Sequence, residues 1–154
     1  MLRVAALLSA LVLAACTTTA TDGVVRDEPS VPPGVSLSLI SIGDAPNRAQ
    51  DLFYAAFGQS AFLADVPWDP GVSGTIQVRA YLSIVPGDTG TLLIYVFDFE
   101  DTVGRRLFRV SDRISSRLTP TDPWEIIEFD LAADVTLSAI EEFVVWVNNN
   151  NVGV

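Results

Sequence analysis

Three consecutive segments in the middle of the chain have the two-residue periodicity that is typical of β-strands. The first covers 75–85, the second covers 91–100 and the third covers 105–114. The alternating apolar residues of the first segment are Ile76, Val78, Ala80, Leu82 and Ile84. The second segment is almost continuously apolar, which favours a central position in a sheet. Short turn sequences at 86–90 and 101–104 separate the three segments, so the pattern predicts an antiparallel meander.

The turn between the second and third strands has a specific predicted geometry. The sequence Asp101-Thr102-Val103-Gly104 suits a type I turn with the glycine in the left-handed region, which produces a hairpin with a bulge. In this hairpin Glu100 would lie opposite Arg105 or Arg106. We therefore expect a cross-strand ion pair at the hairpin tip.

The segment before the meander predicts a strand followed by a helix. Residues 35–42 alternate between apolar and hydroxyl side chains, as a half-buried strand does. Asp44 is a candidate helix cap and Pro46 fits a first helical turn. The apolar spacing that follows predicts a helix ending at Gly58, with a possible short strand at 62–66.

The C-terminal part predicts a second helix. The segment 124–131 is ambiguous and allows a short helix. Asp134 can cap a longer helix in which Leu137, Ile140, Phe143, Val144 and Val147 share a face. A strand is the rival interpretation for 143–147, which is rich in β-branched residues. The fold class predicted from these elements is α+β, a mainly antiparallel sheet of about four strands with two helices packed on one face.

The first sixteen residues have the pattern of a bacterial lipoprotein signal. Arg3 precedes a short apolar run, and Leu13-Ala14-Ala15-Cys16 matches a lipobox. The run spans roughly ten residues, whereas a membrane-spanning helix needs about 20. We expect residues 1–15 to be cleaved and Cys16 to carry the lipid, diacylglycerol and an acyl chain such as palmitate. The alternative is that Cys16 is an ordinary buried cysteine.

The mature chain would then consist of three parts. Residues 16–34, rich in Thr, Pro and Asp, predict a lipidated cysteine and a flexible tether, with a strand folded onto the domain as the alternative. Residues 35–147 form a single domain, and 148–154 form a polar tail. Because Thr17 rather than aspartate follows the cysteine, we expect the periplasmic face of the outer membrane, with surface exposure left open.

The composition excludes several function classes. The net charge is −10, and a chain this acidic does not bind nucleic acid by neutralising phosphates. The sequence has no histidine, and all nine basic residues are arginine. These absences exclude a Ser-His-Asp triad, a Schiff base and the usual phosphate-binding loop. We therefore expect no enzyme activity and no cofactor. A hydrolase using only carboxylates is the remaining enzymatic alternative, and it would need two carboxyl groups roughly 5–9 Å apart.

The densest group of carboxylates is Asp98, Glu100 and Asp101. It could bind a divalent cation or act as an acid–base pair. The alternative is a solvated strand end that forms salt bridges with Arg105 and Arg106.

Arginines and tryptophans provide the candidate partner contacts. Arg105, Arg109, Arg113 and Arg117 recur every four residues and would share one face of a strand. They could bind an acidic partner or an envelope polyanion, or pair within the chain. Trp68 and Trp124 each lie in a loop near proline and could be interface anchors or could close the edge of the core. The residues selected as partner contacts are Trp68, Trp124, Arg109 and Arg113.

Four short motifs resemble a group of small alphaproteobacterial outer-membrane lipoproteins of uncharacterised function. They are GDAP at 43–46, YVFD at 95–98, GRRLFR at 104–109 and DPW at 122–124. Phe97 stands where the group usually has tryptophan. The resemblance covers 43–147 and implies no catalytic residue. Its strand–helix–meander–helix order is similar to that of envelope lipoproteins that assist transporters or assembly machines.

Together these observations predict a lipid-anchored periplasmic accessory or adaptor protein that acts through protein contacts with an envelope partner. The alternative is a small-molecule or divalent-cation binding module that uses the acidic strand end.

Overall fold

A computed structural model describes residues 31–150 of the chain. The predictions for the signal segment, for Cys16, for the tether up to residue 30 and for the last four residues lie outside this range. The elements are β1 (Leu37–Gly43), α1 (Asn47–Leu63), β2 (Ile76–Gly87), β3 (Gly90–Glu100), β4 (Arg106–Ser116), a 3-10 turn (Pro123–Ile126) and α2 (Phe129–Asn150).

The four strands form one mixed sheet in the order β1-β2-β3-β4. β1 is parallel to β2, and the other two pairs are antiparallel. A parallel pair needs a crossover connection, and α1 provides it between β1 and β2. The predicted α+β class, with a mainly antiparallel four-stranded sheet and two helices, is confirmed.

Both helices pack on the same face of the sheet. Phe57 of α1 packs against Phe97 of β3 with ring centroids 6.3 Å apart. Phe143 of α2 stacks on Phe99 of the same strand at 4.4 Å. Because alternate residues of a strand point to the same side, these contacts place both helices on one face. We call the opposite face, away from the helices, the outer face; within residues 31–150 no helix lies on it.

The hairpin between β3 and β4 has the predicted turn and bulge. Gly104 has a φ of 80°, and the register shifts between Phe99 and Glu100. Glu100 lies opposite Arg106, one of the two expected positions. The predicted ion pair between them is nevertheless wrong, since the Glu100 carboxylate accepts a hydrogen bond from Arg79 of β2 at 3.0 Å. Residues diagonally placed on neighbouring strands are within reach of a long side chain, and here β2 provides the partner.

Helix α1 differs from the prediction at both ends. Asp44 has a φ of 61° and does not cap the helix, because Pro46 occupies the N-cap position. The helix continues through Gly58 to Leu63, so the predicted end at Gly58 and the possible strand at 62–66 are wrong.

The actual end of α1 is a Schellman motif. The Val66 amide donates to the Ala61 carbonyl, and the Asp65 amide donates to the Phe62 carbonyl. Asp65, with a φ of 53°, occupies the left-handed position that glycine usually fills. Gly58 has a different role, because a Cβ there would lie 3.0 Å from the indole nitrogen of Trp68.

Helix α2 is longer than predicted at both ends. It begins at Phe129 rather than near Asp134, and it continues to Asn150, three residues into the expected polar tail. Its buried stripe starts at Ala132, so apolar packing extends the helix upstream of the predicted cap. The interpretation of 143–147 as a helix is confirmed, and the rival strand is wrong.

Candidate protein interface

The register of the sheet arranges the outer-face side chains of β2, β3 and β4 in rows that run across the strands. Each row contains one residue from each strand, in that order. The rows are Arg79–Asp98–Arg109, Tyr81–Val96–Ser111, Ser83–Ile94–Arg113 and Val85–Leu92–Ser115.

The first row, together with Glu100 and Arg106 beside it, forms an ionic cluster built on two carboxylates. Arg109 donates to both oxygens of Asp98, with Nε–Oδ1 and Nη2–Oδ2 distances of 2.6 Å. Arg106 approaches the same carboxylate with Nη1 at 3.8 Å from Oδ1. Arg79 binds Glu100, the next outer-face carboxylate along β3. The side chain of Asp98 is only 6% exposed, so the arginines provide the charge that keeps it stable out of water.

The hydrogen bonds to Asp98 also affect the arginine that makes them. They raise the pKa of Arg109 above its ordinary value, with a further contribution from the charge of Asp98 and from Tyr81, although partial burial opposes the shift. Arg109 therefore remains a cation at every physiological pH. Its side chain is 46% exposed despite the contact with the carboxylate, and it presents this part to solvent.

The other rows contain an exposed apolar area. Tyr81, Val85 and Ile94 are all exposed, and Leu92 and Val96 between them are half-buried. Arg113 lies beside Ile94 at the edge of this area and is also exposed. Contiguous apolar surface bordered by polar groups is typical of an interaction site.

The outer face is cationic although the chain is acidic. It carries four arginines, Arg79, Arg106, Arg109 and Arg113, and two carboxylates, Asp98 and Glu100. The whole chain has a net charge of −10. This asymmetry makes the outer face complementary to an acidic surface, and such complementarity determines which partner binds and how fast.

The structure places only part of the predicted arginine stripe on this face. Arg109 and Arg113 belong to it, whereas Arg105 and Arg117 lie outside β4. Arg105 binds Asp101 across the turn, with a distance of 3.0 Å from Nε to Oδ2. Sequence reasoning missed the contributions of Arg79 and Arg106 to the charge of the outer face. The alternation of β2 already indicated that Arg79 faces away from the core, but its neighbours depend on the register with β3.

The two predicted tryptophan anchors do not lie on the outer face. Trp68 packs against Phe57 and Tyr54 with centroid distances of 5.3 and 5.6 Å. Trp124 lies in the 3-10 turn, half-buried against the core, and its amide donates to the side chain of Asp122. These positions favour the alternative that each tryptophan closes an edge of the core.

The acidic group at the hairpin does not form a joint set of cation ligands. Asp98 and Glu100 bind the arginines of the ionic cluster described above, and Asp101 accepts hydrogen bonds from the backbone amides of Val103 and Arg105. The hydrogen bond from the Arg105 backbone and that from Val103 lower the pKa of Asp101, despite some desolvation. In the part of the chain that the structure describes, no group of three or more Asp, Glu, Cys or His is placed to hold a metal ion. The arrangement thus favours the salt-bridged alternative.

Comparisons with known proteins identify no family. No protein-family model and no curated protein matches the sequence. Two crystal forms of a PelC dodecamer from Paraburkholderia phytofirmans, one of them a single-residue variant, resemble the fold with TM-scores of 0.44 and 0.42. Both are 11% identical, and the similarity covers 73% of this chain and 88% and 91% of theirs. An uncharacterised protein matches with a TM-score of 0.31 at 9% identity, over 80% of this chain and 96% of the other.

The length and the apolar content of the two helices determine whether either could cross a bilayer. Between residues 31 and 150, neither α1 nor α2 is both long enough and apolar enough to span a bilayer.

Proposed function

We propose that this protein is a lipid-anchored accessory protein of the bacterial outer membrane that faces the periplasm and acts through protein contacts made by its outer face. The observation that carries the proposal is the outer face itself, where exposed Tyr81, Val85 and Ile94 adjoin a net excess of arginine on a chain of charge −10. The outer face is complementary to an acidic protein surface with an apolar centre, and we expect its partner to have such a surface.

The lipobox supports the anchored location. Leu13-Ala14-Ala15-Cys16 follows a short apolar run, and lipid on Cys16 would hold the domain at the membrane. Anchoring confines the protein to one surface, which raises its effective concentration toward partners in the same membrane. An adaptor of modest intrinsic affinity benefits most from this confinement.

The composition supports binding rather than catalysis. The sequence offers no histidine and no lysine, so the most frequent general base and the lysine amine nucleophile are both absent from it. The carboxylates nearest to one another bind arginines, which suits a structural role in displaying the outer face.

The test is site-specific photocrosslinking in cells of the native organism. A photoreactive residue replaces Ser83, which lies beside Ile94 in the outer face, and in a matched control it replaces Asp51, which is exposed on α1. The proposal expects one defined adduct from Ser83 that is absent from Asp51 and is lost in the Cys16→Ala variant. Equal labelling from both positions, or an adduct that persists without Cys16, would contradict it.

A further inference from the structure

The three most exposed large apolar side chains of the described residues lie at one end of the domain. Val103, Phe62 and Val72 are 85%, 81% and 70% exposed, and Leu63 beside Phe62 is 61% exposed. Phe62 and Leu63 form the last turn of α1, and the Schellman motif fixes them in position. Isolated exposed apolar residues are common, but several large ones at one end indicate a contact surface.

The sheet register shows that these side chains share an end. The Gln77 side-chain amide donates to the Val72 carbonyl, and Gln77 lies opposite Glu100, the last residue before the turn that contains Val103. The residues 31–35, together with Phe62, Val66 and Trp68, line a groove of about 600 Å³ at the adjacent corner. Leu37, just beyond this groove, pairs with Ile76 at the start of β2.

The chain enters the domain at this same end. Val31 is the first described residue and lies in the wall of the groove that Phe62 also lines. The segment between Cys16 and Val31 spans at most about 50 Å when fully extended. A lipid on Cys16 therefore tethers the domain to the membrane through the end that carries its most exposed apolar residues.

We propose that this end, formed by Phe62, Leu63, Val72, Val103 and the groove beside Val31, rests on the lipid bilayer, with the side chains of Phe62 and Leu63 at the boundary between headgroups and acyl chains. The proposal depends on the proposed function, because the lipid on Cys16 brings the bilayer to this end. Aromatic and leucine side chains are the residue types that enter such an interface. With the strands standing on the membrane, the cationic outer face is oriented sideways and stays accessible to a partner in the periplasm.

Spin labelling of the lipidated chain tests this orientation. Cys16 is the only cysteine of the sequence, so lipidation leaves a single free thiol in each of the variants Phe62→Cys, Val103→Cys and Val85→Cys. Val85 is 48% exposed at the other end of β2 and provides the matched control. Each nitroxide-labelled protein is reconstituted into vesicles of zwitterionic phosphatidylethanolamine and phosphatidylcholine, and its collision rates with oxygen and with a water-soluble nickel chelate are compared.

The proposal expects labels at 62 and 103 to collide several-fold more often with oxygen, relative to the nickel chelate, than the label at 85. The proposal would be overturned if the label at 62 had the same ratio of oxygen to nickel-chelate collision rates as the water-exposed label at 85. A label at 62 that is shielded from both reagents would also overturn it, since a protein segment or a second copy would then cover this end.

The mass of the purified protein separates this proposal from the proposed function. If Cys16 carries lipid and the label at 62 remains aqueous, only the docked orientation fails. If Cys16 carries no lipid, the anchor fails and the orientation fails with it.

Discussion

Arg109 of β4 lies directly opposite Asp98 of β3, and its guanidinium binds both oxygens of that carboxylate at 2.6 Å. The pair connects an interior strand to the edge strand of the sheet, and it withdraws one acidic side chain from solvent while leaving arginine surface exposed. The same interaction thus joins the two strands of the hairpin and leaves part of the Arg109 guanidinium, rather than the Asp98 carboxylate, exposed on the outer face.

Loss of this pairing should destabilise the domain. In Arg109→Met the buried Asp98 carboxylate loses its bidentate partner, and an unsatisfied buried acceptor costs about 1–3 kcal/mol. Arg113→Met removes an arginine that lies on the same strand and face and forms no ion pair within residues 31–150, and we expect a change within about 0.5 kcal/mol. Urea denaturation of both variants measures the difference, and equal midpoints would show that the pairing is not stabilising.

The stacked pair Phe99 and Phe143 joins the sheet to α2, with ring centroids 4.4 Å apart. Because Phe143 is fully buried, Phe143→Ala should reduce the free energy of unfolding by about 3–5 kcal/mol. Phe62→Ala, at a site that is mostly exposed, should change it by no more than about 0.5 kcal/mol in vesicle-free solution. Chemical denaturation followed by tryptophan fluorescence gives both values, and a small effect of Phe143→Ala would place α2 outside the core.

The hairpin turn should contribute to acid sensitivity through Asp101. Its pKa in the folded protein lies below the ordinary value of 3.8, mainly because of the backbone hydrogen bond from Arg105. The ionised side chain therefore stabilises the fold above pH 3.8, and this contribution is lost as the pH falls through the lower folded pKa.

The variant Asp101→Asn isolates this effect. At neutral pH it should unfold at a lower urea concentration than the parent protein. The difference between the two urea midpoints should become smaller below pH 3.8. A midpoint difference that stays constant from neutral pH to below pH 3.8 would show that the ionisation of Asp101 does not contribute to stability.

Calcium should leave the melting temperature of the protein unchanged, since the carboxylates at 98, 100 and 101 bind arginine and backbone groups. Differential scanning calorimetry over a calcium titration measures this. A ligand that binds only the folded state must raise the melting temperature. A saturable rise that disappears in Glu100→Gln would revive the cation-binding alternative.

Local patterns predicted the architecture well because alternation and turn chemistry are properties of neighbouring residues. The hairpin at Asp101–Gly104 and the strands around it follow from such signals. The ends of α1 do not, because Gly58 serves the packing of a distant indole and Asp65 occupies a left-handed position that usually belongs to glycine.

The candidate site was partly predictable for the same reason. Strand periodicity places Arg109 and Arg113 on one face, as the sequence predicted. The partnership of Arg79 with Glu100 depends on how β2 aligns with β3, and the position of Arg106 depends on a bulge near Glu100. Register is a tertiary property, and therefore the complete ionic cluster could not be derived from spacing alone.

The measurement that tests the central claim most directly is the yield of the photocrosslinked adduct from Ser83 in cells, compared between Arg113→Glu and Arg48→Glu. Both variants change the net charge equally, but Arg113 lies on the outer face and Arg48 lies at the exposed start of α1. The proposed function predicts that Arg113→Glu strongly reduces the adduct while Arg48→Glu leaves it unchanged. Equal yields in the two variants would contradict an outer face that recognises an acidic partner.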